Sequence, residues 1–254
     1  PLTSILVCDY SSIEAIVLAW LAREQWVIDA YREQRDLYVE TASRMSASVG
    51  HEMSRQEGKI ALLGAGYGSG VKGLRTFAGP KPTDEQLQTQ INAWRAANPS
   101  IVDLWHRLEA EFKSGGPIIH APQRDVRVLT LPSGRCLTYR GVHATLNRWG
   151  QPSVAYFDPV KKHDVETYGG RLAENLTQAV ARDVLAAALV RLQGAGFKVA
   201  GHVHDEVIIE GPGSWVDADG MPSLEGGRAF AEVRRLMTET NPCRFRCLCV
   251  LLGP

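Results

Sequence analysis

The chain's 254 residues are 44% apolar and 22% charged, and 28 Lys and Arg balance 28 Asp and Glu. That length and texture suit a globular protein with a sizeable core, as one large domain or two interleaved ones, and exclude disordered and fibrous classes. Zero net charge means that any attraction for nucleic acid must come from local clustering.

Ser4 to Cys8 is a strand-like run ending at Asp9. A helix follows from Ser11, capped by Ser11 or Ser12, with Ile13, Val17, Trp20 and Leu21 on one face. Asp36 to Met45 and Ser54 to Tyr67 read as two more helices, after which glycines at 64, 66, 68, 70 and 73 loosen the chain. Thr83 to Ala97 is helical from its cap-like start to Asn98-Pro99, and Ile101 to Lys113 is helical up to Gly115-Gly116. Val126 to Leu131 and Arg135 to Tyr139 flank Pro132-Ser133-Gly134 as a β-hairpin, with further strand-like pieces to about Tyr168. A long helix is expected from Arg171 to Leu192, closed by Gly194 and Gly196. Two strands around His204-Asp205, a helix from Leu224 to Thr238 and a last strand complete the chain. The pattern implies an α+β fold, an antiparallel sheet interrupted by a helical insertion and a β-rich one.

The five cysteines, Cys8, Cys136, Cys243, Cys247 and Cys249, are odd in number and irregular in spacing, which argues for a reducing compartment. Cys243, Cys247 and Cys249 lack a second ligand pair at zinc-finger spacing and read as small apolar residues of the last strand. Arg23, Glu24, Arg182 and Arg191 interrupt every candidate membrane span, and no signal-peptide pattern opens the chain.

Three constellations carry chemistry. Asp9-Tyr10-Ser11-Ser12-Ile13-Glu14 stands at a strand-to-helix junction, and His204-Asp205-Glu206 at a hairpin turn. Alone, the first reads rather as a helix cap and the second as an ordinary acidic turn. A shared sheet, however, can set Asp9 beside Asp205. Two carboxylates about 4 Å apart repel by roughly 4 kcal/mol at an effective dielectric near 20, and such a pair needs a cation or a raised pKa. A hard divalent ion with oxygen ligands suits them, and two such ions can clamp the attacking and leaving oxygens of an in-line displacement. The third constellation is Arg55, Lys59, Leu63 and Tyr67, each four apart along one helical stripe. Between Arg55 and Lys81 five basic residues face the single acid Glu57. A solvated basic face is the bland alternative. On the long helix Arg171, Asn175, Gln178 and Arg182 share a polar side opposite Leu172, Leu176, Val180 and Val184, which suits contact with bases and phosphates or, again, with solvent.

In this order the pieces resemble the signature motifs of the family A DNA polymerases. Asp9 to Glu14 is similar to DYSxIE, Arg55, Lys59, Tyr67 and Gly68 match RxxxKxxxxxxxYG, and His204-Asp205-Glu206 matches HDE. Arg35-Asp36, Glu40-Thr41-Ala42 and the surroundings of Asn175 agree, and the stretch from Tyr168 to Gln178 looks most like bacteriophage members. The resemblance implies template-directed addition of dNTPs to a primer 3′-OH by two-metal-ion phosphoryl transfer. Palm segments would span residues 1–34 and 169–254, helical fingers 35–113 and the β-rich insert 114–168. Asp9, Asp205 and the Tyr10 carbonyl would hold two Mg²⁺ ions, for which Mn²⁺ could substitute, with Glu206 assisting. Glu14 would reject a ribose 2′-hydroxyl. Arg55 and Lys59 would bind the triphosphate, Lys59 serving as general acid, and Tyr67 would stack beside the nascent base pair. Arg171, Asn175, Gln178 and His204 would touch primer-template DNA.

Three residues depart from the family pattern. Leu63 stands where an aromatic residue usually packs on the incoming sugar, which implies slow incorporation and discrimination against dideoxynucleotides. Tyr38 replaces a phosphate-binding histidine, and Gln178 follows Asn175 one residue sooner than in bacterial members. Thumb and exonuclease motifs are not among these residues, so the expectation is weak DNA binding, low processivity and no proofreading, in the cytoplasm of a bacterial or phage-infected cell with no membrane partner. Two alternatives remain: a single-subunit RNA polymerase, disfavoured by Glu14, and an inactive polymerase-like DNA-binding module. Oligomeric state is not legible.

Overall fold

The computed structural model describes residues 3–147, 149–217 and 219–239. In chain order, β1 (Thr3–Asp9) leads to α1 (Ile13–Ala22), α2 (Gln25–Arg32), α3 (Leu37–Val49), α4 (Arg55–Ala65) and α5 (Val71–Ala78). Two longer helices follow, α6 (Asp84–Ala97) and α7 (Pro99–Ser114), and then β2 (Ile119–Gln123), β3 (Val126–Thr130), β4 (Cys136–Leu146), β5 (Pro152–Asp158) and β6 (His163–Thr167). Next come α8 (Gly169–Gly194), β7 (Lys198–Val203), β8 (Glu206–Pro212) and α9 (Leu224–Thr238). Among the described residues the fold is α+β with two antiparallel sheets. It divides into two compact units, residues 1–14 with 179–254, and residues 15–178.

In the first unit the sheet runs β1-β8-β7. β1 alternates as a half-buried strand should, with Ser4 and Cys8 inward and Ile5, Val7 and Asp9 outward. Burial pushes the Cys8 thiol up to about 11, so it packs as a small apolar group. α9 lies against β1, and the Tyr10 hydroxyl donates to the Met237 carbonyl at 2.7 Å. Arg191 donates to the Leu236 and Met237 carbonyls at 2.7 and 3.1 Å, satisfying acceptors that the end of α9 would otherwise leave open.

The second unit joins a helical group, α3 to α6, to a five-stranded sheet in the order β2-β3-β4-β5-β6. α4 and α6 each begin with a capping box, Ser54 with Glu57 and Thr83 with Gln86, and these signals locate both helix starts in the sequence. Leu74, Leu87 and Ile91 form the core between α5 and α6. Trp94 and Trp105 stack at 5.9 Å. Buried Arg127 donates to the carbonyls of Phe112 and Lys113 at the end of α7, tying that helix to the sheet. Phe112, Tyr139 and Tyr156 meet edge to face beside this tie.

α9 spans Leu224–Thr238 as expected, and α8 outruns its expected bounds by two residues at each end. Two helices have no counterpart in the sequence reading. α2 and α5 are each eight residues long, too short for periodicity to stand out, and α5 lies within the glycine-rich stretch. The expected last strand, with Cys243, Cys247 and Cys249, lies outside the described residues. Among the described residues no helix is long and apolar enough to cross a membrane.

Two adjacent glycines in the first turn of α9 give a paired test. A Cβ on Gly226 would be driven into the Trp215 carbonyl, whereas one on Gly227 would meet nothing within 4 Å. Gly226→Ala should destabilise by about 1–3 kcal/mol, and Gly227→Ala should stabilise by up to about 0.5–1 kcal/mol. Urea denaturation of both variants checks the opposite signs.

Candidate active site

The β1–β8 pairing places Asp9 opposite Glu206, so the turn residue Asp205 comes level with the end of β1. The Asp9 and Asp205 side chains are within hydrogen-bonding contact. The Asp9 pKa is raised, first by burial, then by the Asp205 charge and by the hydrogen bond that protonated Asp9 donates to Asp205, while the Tyr10 amide opposes the shift by donating to the Asp9 carboxylate. Residues flanking both acids hold left-handed backbone: Ser12 at φ 55° just before α1, and exposed His204 at φ 54° in the turn before β8. Non-glycine residues adopt this region at a cost and cluster at functional turns. Tyr10 is buried and fixed by its hydroxyl, so its side chain is structural. Glu14 lies exposed in the first turn of α1. Among the described residues no group of three or more His, Cys, Asp or Glu is assembled to hold a metal. The donor set is thus two abutting carboxylates, which fits a hard cation whose remaining ligands are water or phosphate oxygens.

On α4, Arg55 and Leu63 are exposed and Lys59 is half-buried. Asp36 caps α3 by accepting from the Tyr38 and Val39 amides, and its second oxygen accepts from Arg55 Nε at 2.7 Å. The Asp36 pKa is lowered, above all by that bond. The Arg55 guanidinium lies 4.9 Å from the Tyr38 ring centroid and Lys59 Nζ lies 5.8 Å from it. One aromatic face therefore organises both cations. This role of Asp36 and Tyr38 was not legible, because it depends on how α3 packs against α4. At that packing, a Cβ on Gly58 would strike the Tyr38 carbonyl.

The expected helix through Tyr67 is corrected: α4 stops at Ala65, and Tyr67 sits in the following turn. The cause is tertiary. Trp105 Nε1 donates to the Gly66 carbonyl at 3.1 Å, and Gly68 takes φ 73° against Gly170. A Cβ on Gly170 would collide with the Tyr67 carbonyl, and one on Gly169 with the Trp105 carbonyl. The two glycines that open α8 thus let it approach the Tyr67 segment closely.

Along α8, Leu172, Leu176, Val180 and Val184 are buried, while Gln178 and Arg182 are exposed and Arg171 and Asn175 are half-exposed. Asn175 donates to the Tyr139 hydroxyl at 3.1 Å, and burial pushes that phenol up to about 12, keeping it protonated. Tyr139 is a partner that sequence reasoning missed. Arg171 lies 5.9 Å over the Tyr168 ring.

Over residues 2–219 the chain matches the sequence profile of DNA polymerase family A. The chain belongs to that family. It is 34% identical over 242 residues to the DNA polymerase of Bacillus phage SP02, covering 87% of this chain and 37% of that protein. It is 26% identical over 241 residues to DNA polymerase I of Pseudomonas aeruginosa, covering 90% of this chain and 23% of that protein. Its fold is similar to the POL domain of Pol1 from M. smegmatis in complex with DNA primer-template and dNTP, with a TM-score of 0.63 and 19% identity over 94% of this chain and 37% of that one. This family A chain therefore spans well under half the length of these relatives.

The carboxylate pair predicts a stability effect. In metal-free buffer at neutral pH, Asp205→Asn should stabilise the protein by ~1 kcal/mol, the scale of a solvent-screened repulsion at contact distance. Burial and repulsion raise the Asp9 pKa in the folded state, so its charged form opposes folding above that pKa. The advantage of Asp205→Asn should therefore shrink as pH falls through it. Urea denaturation at several pH values checks this.

Proposed function

We propose that this family A chain is the nucleotide-adding core of a DNA polymerase, extending a primer 3′-OH with dNTPs along a template. The observation that carries this reading is the Asp9–Asp205 contact, two carboxylates held together by strand register at a cost in repulsion. Its residue types and donor set suit two Mg²⁺ ions, with Mn²⁺ as a substitute, held by Asp9, Asp205 and the Tyr10 carbonyl and assisted by Glu206. Such ions, when bound, supply Lewis-acid activation of the primer hydroxyl and charge neutralisation on the triphosphate.

In the reaction the primer 3′-hydroxyl gives up its proton to solvent, its oxygen forms a bond to the α-phosphorus and the bond to pyrophosphate breaks. Arg55 and Lys59 bind the triphosphate, and Lys59 donates a proton to the departing pyrophosphate. Tyr38 holds both cations in place through its ring face, a role consistent with its contacts to each. Arg55 exchanges its Asp36 contact for phosphate, or shares it, which tempers its affinity. Leu63 packs on the sugar, Glu14 excludes the 2′-hydroxyl, and Tyr67 stacks beside the new base pair. Arg171, Asn175, Gln178 and His204 contact primer-template DNA. In family terms, residues 1–34 and 169–254 would be palm, 35–113 fingers and 114–168 the β-rich insert.

Primer extension on a primed template with Mg²⁺ tests this reading. The unmodified chain should extend the primer, and Asp205→Ala should lose ~10³-fold or more of the rate, equivalent to about 4 kcal/mol. No extension at high protein concentration contradicts the proposal and favours an inactive DNA-binding module. In the same assay Glu14→Ala should raise use of rNTPs relative to dNTPs. The unmodified chain should disfavour dideoxynucleotides in direct competition, and equal use of both would overturn the role given to Leu63.

A further inference from the structure

Two of the polar residues of α8, Arg171 and Asn175, lie one helical turn apart and are half-exposed. The β-rich insert engages both. Arg171 Nη1 donates to the Glu166 carbonyl of β6 at 3.4 Å, and Asn175 Nδ2 donates to the Tyr139 hydroxyl of β4 at 3.1 Å. The first contact is long and exposed; the second joins two side chains and is partly buried.

Tyr139 itself is only 6% exposed. Phe112 of α7 meets its ring edge to face with centroids 5.1 Å apart, and Tyr156 of β5 does the same at 4.9 Å. Phe112 is fully buried, and Arg127, the β3 residue opposite Tyr139, donates to the Phe112 carbonyl at 2.6 Å. A tyrosine hydroxyl is placed by two side-chain torsions, and this packing restrains both. The hydroxyl is therefore a fixed point of the insert, set before any ligand arrives.

Asn175 is the opposite case. The terminal torsion of an asparagine is broad, so a half-exposed amide samples many orientations unless something holds it. Donating one amide hydrogen to a fixed oxygen removes that freedom and leaves the second hydrogen and Oδ1 for a ligand. Burial keeps the phenol protonated well beyond neutral pH, so the tie persists there.

We propose that Tyr139 is a positioning residue for DNA binding: out of reach of DNA itself, it fixes the Asn175 amide in the orientation that meets the primer-template. The β-rich insert thereby serves the DNA-binding side of α8. Orienting a polar group before association spares the entropy of ordering it on binding. The inference rests on the DNA contact given to Asn175 under the polymerase reading, and it requires no catalysis.

A double-mutant cycle tests it, read by fluorescence anisotropy of the full chain with a labelled primed template and no dNTP. Tyr139→Phe keeps the ring and its edge-to-face contacts, and unchanged far-UV circular dichroism checks that the fold is kept. This variant should bind about two- to tenfold more weakly, the scale of one hydrogen bond. Asn175→Ala should lose at least as much, and adding Tyr139→Phe to it should cost nothing further. The slope of log affinity against log salt should stay that of the unmodified chain throughout, because no cation is removed. Losses that multiply in the double variant overturn the proposal, as does unaltered affinity in either single variant. So does a shallower salt slope in Tyr139→Phe, which would mark a displaced α8 carrying Arg171 away from phosphate. Coupled losses in a chain that fails to extend the primer count against the polymerase reading alone. Independent losses in a chain that does extend it count against this inference alone.

Discussion

The register of β1 on β8 is the constraint from which the chemistry of this chain derives. Pairing Asp9 with Glu206 brings Asp205 into hydrogen-bonding contact with Asp9 across a two-residue turn. A one-residue slip would send Asp9 to the opposite face and bury Ile5 and Val7 in place of Ser4 and Cys8. Packing therefore enforces a placement that electrostatics resists. The left-handed residues Ser12 and His204 on either side add backbone strain, which the surrounding hydrogen bonds must overcome. Tyr10, bonded to the Met237 carbonyl at the end of α9, and Arg191, bonded to that carbonyl and to the Leu236 carbonyl, anchor this arrangement.

In the helical unit a comparable economy governs the cations. Asp36 caps one helix and pins the first arginine of the next, while Tyr38 lies against Arg55 and Lys59 together. Gly58 permits the close α3–α4 approach that makes both contacts. The same device recurs at Gly169 and Gly170, where α8 meets the Trp105 and Tyr67 carbonyls. Glycine acts here by the absence of a Cβ, and Gly68 alone among these four needs positive φ.

Much of this was legible in the sequence, for identifiable reasons. A cap-like Thr83 marked the start of α6, a Pro-Ser-Gly turn marked the hairpin between β3 and β4, and the burial of Leu172, Leu176, Val180 and Val184 follows from their spacing on α8. Asp9 and Asp205 stood out because their flanks read as strands of one sheet. The end of α4 was not legible, since Trp105 takes the Gly66 carbonyl from 39 residues away. Nor were the contacts of Tyr38 and Tyr139, both set by packing between elements.

The central claim is that the Asp9–Asp205 pair is a site for divalent cations. A titration of Mn²⁺ into the protein, following the free-ion paramagnetic resonance signal, addresses it most directly. The account predicts ions bound by the unmodified chain that are lost in both Asp9→Asn and Asp205→Asn. Equal binding by all three proteins would contradict it.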